Sequence, residues 1–175
     1  MPLEVLDASY FEAPVQEVAR DLIGRDLLVH DRCGGLIVAT ILETEAYGGP
    51  DDPASHAAFR PGGRAAIMSG PPGTVYVYAA YGMYPCFNIV TGPEGVASAV
   101  LLRGVRRAED RRATFGPGRT TRLLGITLDD HGERIPGPRF NVSRQRRELE
   151  IAVTPRIGIT RAVDTAWRFV ASDET

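Results

Sequence analysis

Residues 35–47 read GLIVATILETEAY and form the longest strand-like run of the chain. The β-branched and aromatic residues in this run are typical of a β-strand. Two glutamates, Glu43 and Glu45, lie inside the otherwise apolar run. Because a buried carboxylate is energetically costly unless it is paired or hydrogen-bonded, this pattern indicates that the two acids have specific partners or a functional role.

Shorter runs rich in Val, Ile, Tyr and Thr precede and follow this segment, and Gly, Pro and Asp separate them. With no repeat or linker in 175 residues, they predict one α+β domain spanning residues 1–175. We expect a curved, largely antiparallel sheet with peripheral helices and a protruding β-hairpin; residues 125–140 and the termini are expected to be irregular. Further strands are predicted over 26–30, 73–81, 85–91, 96–105 and 148–154, and helices over 15–23, 106–113 and 119–124.

Composition excludes several classes of protein. With 43% hydrophobic and 24% charged residues, the chain has an ordinary globular composition. It has no apolar run of about 20 residues and no signal-like N-terminus, which predicts a cytoplasmic, intracellular protein without a membrane partner. Two cysteines and three histidines at unrelated spacings predict no metal site. The paired aspartates of 51–57 lack the other oxygen ligands of a calcium loop.

Charge is distributed unevenly along the chain. All twenty basic residues are arginine, and residues 100–147 contain twelve arginines against five acids. Such a segment predicts a basic face that binds a phosphate-rich partner, although solvated surface charge remains an alternative. Two features fit phosphate binding: Arg103 ends an apolar strand, and the Gly-Pro-Gly-Arg sequence of 116–119 opens a predicted helix whose free N–H groups attract anions.

The glutamates of the long strand suggest chemistry. Strand alternation puts Glu43, Glu45 and Tyr47 on one face, where two carboxylates beside an aromatic ring can hold water and a planar molecule. The alternative is an edge strand whose glutamates face solvent. The following loop, 51–57, carries His56, which is either a site residue or a hydrogen-bonded structural histidine.

A tyrosine-rich segment follows at residues 73–88, which holds four of the six tyrosines. Gly82 is a natural turn residue and predicts a hairpin whose tip exposes Tyr81, Met83 and Tyr84. Monomeric proteins rarely expose such side chains unless they bind something, and apolar wedges of this kind enter base steps of duplex DNA. The alternative, packing on the core, suits the strand tyrosines better than the tip.

Taken in order, these motifs resemble the alkyladenine (3-methyladenine) DNA glycosylase family, from about residue 11 to residue 169. The resemblance implies a monofunctional hydrolase of base excision repair, a DNA-binding monomer associated with the nucleoid, with no cofactor, metal or lyase activity. Its motifs are ETEAY at 43–47, SHA at 55–57, PGTVYVY at 72–78, YGMY at 81–84, Asn88, LLR at 101–103, FGPGR at 115–119 and PRIGI at 155–159.

The resemblance also implies roles for individual residues. The family flips alkylated or deaminated purines, such as 3-methyladenine and hypoxanthine, out of double-stranded DNA and hydrolyses the N-glycosidic bond. Glu45 corresponds to the general base that activates water. The implied base pocket comprises Tyr47, Ala54, His56, Tyr78 and Asn88, and the implied DNA contacts are Tyr81, Met83, Tyr84, Arg103, Arg119, Arg64 and Met68.

The chain departs from the family pattern in residues 57–70, where only Arg64 and Met68 align with the usual loop, and in its short C-terminal segment.

Two other functions are compatible with parts of the sequence. A hydrolase of free nucleosides would use Glu43 and Glu45 but would need neither the hairpin tip nor the basic segment. A non-catalytic nucleic-acid-binding module would use the arginines, but a glutamate pair would repel phosphate.

Overall fold

The computed structural model describes residues 3–172, which form one nine-stranded antiparallel sheet with short helices around it. This is the α+β fold predicted from the sequence. The strands are β1 (Arg25–His30), β2 (Leu36–Tyr47), β3 (Val75–Ala80), β4 (Tyr84–Val90), β5 (Ala99–Arg107), β6 (Thr114–Phe115), β7 (Phe140–Arg146), β8 (Ile151–Thr154) and β9 (Arg168–Ala171). The α-helices are α1 (Val15–Asp21), α2 (His56–Phe59) and α3 (Pro117–Leu124), and short 3-10 helices cover Ala8–Glu12, Gly63–Ser69 and Leu128–Asp130.

The long run of the sequence becomes the central strand, β2. One edge of β2 pairs with β5 along residues 39–47. The other edge pairs first with β1 over 36–40 and then with β9 over 43–45. Both edges are occupied, and every residue from 40 to 46 is buried. The edge-strand alternative is therefore excluded, and both glutamates lie in the interior.

Helix α1 packs against β2 and completes the core on that side of the sheet. It begins after Pro14 and buries Val15, Val18 and Ala19. The hydroxyl of Thr44, which is fully buried, donates a hydrogen bond of 2.7 Å to the carbonyl oxygen of Ala19. This bond links the helix directly to the strand that carries the glutamates.

Replacement of Thr44 by valine is expected to lower the free energy of unfolding by about 1–3 kcal/mol, because the buried carbonyl of Ala19 loses its donor while the shape is kept. Urea denaturation measures this difference. Thr160→Val, at an exposed position, is the matched control and is expected to change stability by less than about 0.5 kcal/mol. Equal stability of the two variants would contradict the assignment of this bond.

Several elements differ from the sequence-based predictions. The predicted helix over 106–113 is wrong, because β5 continues to Arg107 and a turn follows it. In this turn the Nε of Arg107 contacts the carboxylate of Asp110 at 2.7 Å, and β6 then pairs with β5. This segment has no apolar stripe that a helix could bury. Strands β6, β7 and β9 were not predicted, because β6 has two residues, β7 has a polar second half and β9 is only four residues long. The one-turn helix α2 lies where a loop was predicted. The termini are not wholly irregular, since Ala8–Glu12 is a 3-10 helix and β9 is a strand.

The charge asymmetry along the chain is partly neutralised in three dimensions. Several arginines of residues 100–147 pair with acids, many of them from the N-terminal half, while Arg111, Arg112, Arg119 and Arg122 remain exposed. The ion pairs are Arg103–Glu43, Arg107–Asp110, Arg139–Asp130, Arg144–Asp7, Arg146–Asp21 and Arg147–Asp26.

No helix within residues 3–172 is long and apolar enough to span a membrane.

Candidate active site

A cavity of about 800 Å³ opens between the end of β2, helix α2, the β3–β4 hairpin and residues 157–161. Its volume lies within the range of about 300–1,000 Å³ that is typical of small-molecule sites. The cavity brings together all five residues that the sequence predicted for the base pocket. They are Tyr47 at the end of β2, Ala54 and His56 around the start of α2, Tyr78 on β3 and Asn88 on β4.

One wall of the cavity is aromatic. Ser55 caps α2 by accepting a hydrogen bond from the amide of Ala57, which fixes His56 at the first helical position. The Nδ1 atom of His56 lies 2.7 Å from the hydroxyl of Tyr76, and its ring centroid lies 4.5 Å from that of Tyr78. Burial lowers the pKa of His56, so the imidazole is neutral at pH 7. The wall therefore offers ring surface without a cationic histidine.

The floor of the cavity is held by Asn88, which is 4% exposed. Its amide nitrogen donates to the carbonyl oxygens of Tyr76 at 3.1 Å and Cys86 at 3.3 Å. These bonds fix the carboxamide relative to β3 and β4. The floor is therefore a rigid polar group among apolar neighbours.

Glu45 lies directly behind the cavity wall and is fully buried. Its carboxylate accepts hydrogen bonds of 2.6 Å from the hydroxyl of Tyr47 and from the backbone amide of Ile157, and the Nε of Arg103 lies 3.6 Å away. All three of these partners line the cavity. Burial raises the pKa of Glu45, and the positive charge of Arg103 and the two hydrogen bonds oppose this rise. A carboxylate so placed can accept a proton once it is ionised.

Arg103 connects the two glutamates of β2. Its Nε atom contacts the carboxylate of Glu43 at 3.0 Å, and Glu43 is also bound by the Nε of Arg168 at 2.6 Å. The side chain of Arg103 is 12% exposed. The Nε atom of Arg103 thus belongs to the acid cluster, while the residue also lines the cavity, and the contact with the DNA backbone that the sequence predicted for it stays a prediction. Glu43 and Arg168 keep it in place.

The hairpin tip projects into solvent beside the cavity. Tyr81 is 90% exposed, Met83 68% and Tyr84 52%. Tyr81 and Gly82 both have positive φ, +53° and +70°, as a type I′ turn requires, and the amide of Met83 donates to the carbonyl of Ala80. A tyrosine in this conformation is strained by about 1–3 kcal/mol, and such strain is concentrated at functional sites. Packing of the tip on the core is excluded.

The remaining predicted DNA contacts occupy different environments. Arg119 is exposed in the first turn of α3, next to Pro117 on the cavity rim, and Arg64 is exposed on the Gly63–Ser69 helix. Met68, by contrast, is 2% exposed and packs with Tyr76 in a small core cluster. Met68 also lines the cavity, and its contact with DNA stays a prediction.

Sequence reasoning missed the contribution of residues 156–161. The amide of Ile157 binds the Glu45 carboxylate, and Arg156 forms a buried ion pair with Asp52 just behind Tyr47. The only signal was the PRIGI motif at 155–159, to which no role was attached. A backbone N–H has no side-chain identity, so residue types alone do not reveal it.

Comparison with known proteins agrees with this geometry. The family model for methylpurine-DNA glycosylase (MPG) matches residues 9–175. A relative from Rhodopseudomonas palustris (strain ATCC BAA-98 / CGA009) is 42% identical, with 94% of this chain and 83% of the relative covered. Relatives from Granulibacter bethesdensis (44% identical, 94% and 82% covered) and Ehrlichia chaffeensis (40% identical, 100% and 97% covered) are similar as well. All three bear names that describe a 3-methyladenine DNA glycosylase.

Proposed function

Because the chain belongs to the methylpurine-DNA glycosylase family, we propose that it excises 3-methyladenine and other damaged purines, such as hypoxanthine, from duplex DNA. Residues 1–175 would form a single glycosylase domain that acts as a monomer on nucleoid DNA in the cytoplasm. The observation that carries the proposal is the fully buried carboxylate of Glu45, held against a purine-sized aromatic cavity that opens beside an exposed tyrosine.

Base flipping is the first step of the proposed reaction. A base inside a duplex is unreachable, and rotating it out costs a few kcal/mol, least for damaged or mispaired bases. Tyr81 would fill the gap left in the duplex, with Met83 and Tyr84 beside it in the minor groove. The flipped purine would stack between Tyr47 on one side and His56 and Tyr78 on the other, which returns about 1–3 kcal/mol per base.

Hydrolysis is the second step. Glu45, ionised, would accept a proton from a water at the wall formed by Arg103 and Ile157, and the resulting hydroxide would attack the sugar carbon as the bond to the purine breaks. The negative carboxylate also favours an oxocarbenium-like sugar. A ring-alkylated purine carries a positive charge and leaves readily. One carboxylate then suffices, without the acid–base pair of ordinary glycosidases and without cleavage of the DNA backbone.

A base-release assay tests this function against the two alternatives. The substrates are duplexes that each contain one 3-methyladenine, 7-methylguanine or hypoxanthine, with free inosine assayed in parallel. We expect release from the duplexes and none from free inosine. Release from inosine at a comparable rate would instead favour a nucleoside hydrolase, and binding without release would favour a non-catalytic module.

The rate of base release is expected to fall as the pH is lowered through the pKa of Glu45. Burial raises this pKa above its ordinary value of 4.5, and only the ionised form can accept a proton. The acid limb should therefore begin above pH 4.5 and lose about tenfold in rate per pH unit below the pKa. Single-turnover rates on a hypoxanthine duplex, with melting curves at each pH as control, measure it. A rate that stays constant down to pH 4.5 would contradict the assigned base.

A further inference from the structure

The guanidinium of Arg156 is sealed behind the cavity wall. Its side chain is fully buried, and its Cζ atom lies 4.8 Å from the ring centroid of Tyr47 and 5.2 Å from that of Trp167. Tyr47 lines the cavity, whereas Arg156 does not. The cation therefore lies against the Tyr47 ring on the protein side, while the cavity receives its ligand on the other.

A bidentate ion pair fixes this cation. The Nη1 and Nη2 atoms of Arg156 bind the two carboxylate oxygens of Asp52 at 2.7 and 2.9 Å, and Nη1 also donates to the carbonyl of Ala46. Asp52 in turn accepts from the amides of Gly48 and Ala54. The network thus joins the end of β2 to the loop that carries Ala54 and to the residue before Ile157.

The network is poorly explained by stability alone. The Nε atom of Arg156 is the one buried side-chain nitrogen or oxygen within residues 3–172 that lacks a hydrogen-bond partner. A buried ion pair adds little stability over well-packed apolar residues, because desolvation offsets most of the attraction. A buried cation that leaves a donor unsatisfied therefore favours a role in the site.

The chemistry of the aromatic ring suggests that role. The face of a tyrosine ring is electron-rich and attracts cations. With Arg156 on the protein side of the ring, a cationic base stacked from the cavity competes for the same electron density and is repelled across one ring. A neutral purine feels no such repulsion. We propose that Arg156 is a positioning residue that aligns Tyr47 and the Ile157 amide, and that its positive charge makes the pocket favour neutral lesions over cationic ones. This inference rests on the function proposed above.

The test compares one cationic and one neutral lesion. Single-turnover release of 7-methylguanine and of hypoxanthine is measured with the unaltered protein and with Arg156→Met, which keeps length and burial but removes the charge. Both rates are expected to fall, since both bases lose alignment. The loss should be smaller for 7-methylguanine, so that the ratio of cationic to neutral release rises about threefold to thirtyfold, the range to which cation–π energies correspond.

A second variant separates charge from folding. Arg156→Lys keeps a cation beside Asp52 but loses the planar bidentate contact, and it is expected to lower both rates while leaving the lesion ratio within about twofold of the unaltered protein. Equal losses on both lesions in Arg156→Met, or a changed ratio in Arg156→Lys, would overturn the proposal. If Arg156→Met does not fold, Arg156→Gln, which also removes the charge, takes its place with the same expected rise in the ratio. Failure of the proposed function is distinct, since the unaltered protein would then release neither base.

Discussion

Glu45→Gln is expected to abolish most base release while leaving binding to damaged DNA intact. General-base catalysis contributes about 10²–10⁴ in rate, so the single-turnover rate on a hypoxanthine duplex should fall by a factor in this range. Glutamine keeps the shape of the side chain but cannot accept a proton from water. The dissociation constant for the same duplex is expected to change by less than about threefold, because Glu45 is buried behind the wall and Arg103 retains Glu43 as a partner.

Stability provides an internal check on this variant. A carboxyl group whose pKa is raised by folding stabilises the protein below its unfolded pKa, and this contribution is lost as the pH rises through the folded pKa. Above the folded pKa, the ionised Glu45 therefore lowers the free energy of unfolding, and glutamine removes this effect, so Glu45→Gln should melt no lower than the unaltered protein in that pH range. Glu94→Gln, at an exposed position, is the matched control for both measurements. Full base release by Glu45→Gln would refute the proposed mechanism.

Tyr81→Gly is expected to lose activity only where a duplex must be opened. Flipping costs a few kcal/mol, which corresponds to about a hundredfold in rate when the ring that fills the gap is missing. Release of hypoxanthine from a duplex should fall by this factor, whereas release from the same lesion in single-stranded DNA should change by less than about threefold. The tyrosine ring is 90% exposed and its loss leaves the core unchanged.

The backbone at this position adds a second expectation. Tyr81 has a φ of +53°, which glycine adopts without strain, so Tyr81→Gly should be at least as stable as the unaltered protein in thermal melts. Tyr81→Phe keeps the ring and is the matched control, with duplex activity expected to be retained. Equal losses on single-stranded and duplex substrates would show instead that Tyr81 acts on the base or the chemistry rather than on the duplex.

Much of the fold followed from local patterns. The run of β-branched and aromatic residues predicted β2 over its full length, Gly82 predicted the hairpin turn, and the helix predicted over 119–124 lies within α3. The predictions failed at 106–113, where charges without an apolar stripe form a strand end and a turn, and at the short strand β9. Such segments take their conformation from the neighbouring strands, which no local pattern records.

The order of residues specifies which chemical groups are present: two acids in an apolar strand, a tyrosine at a turn, and a set of motifs typical of one family. The surroundings of these groups arise only on folding. Arg103 meets Glu43 across 60 residues of chain, and the Ile157 amide meets Glu45 across 112. The two acids are buried under groups from other segments, among them Arg103, Arg168 and the Ile157 amide. Charge state and reactivity depend on desolvation and on partners a few ångströms away, and these exist only once distant segments have come together.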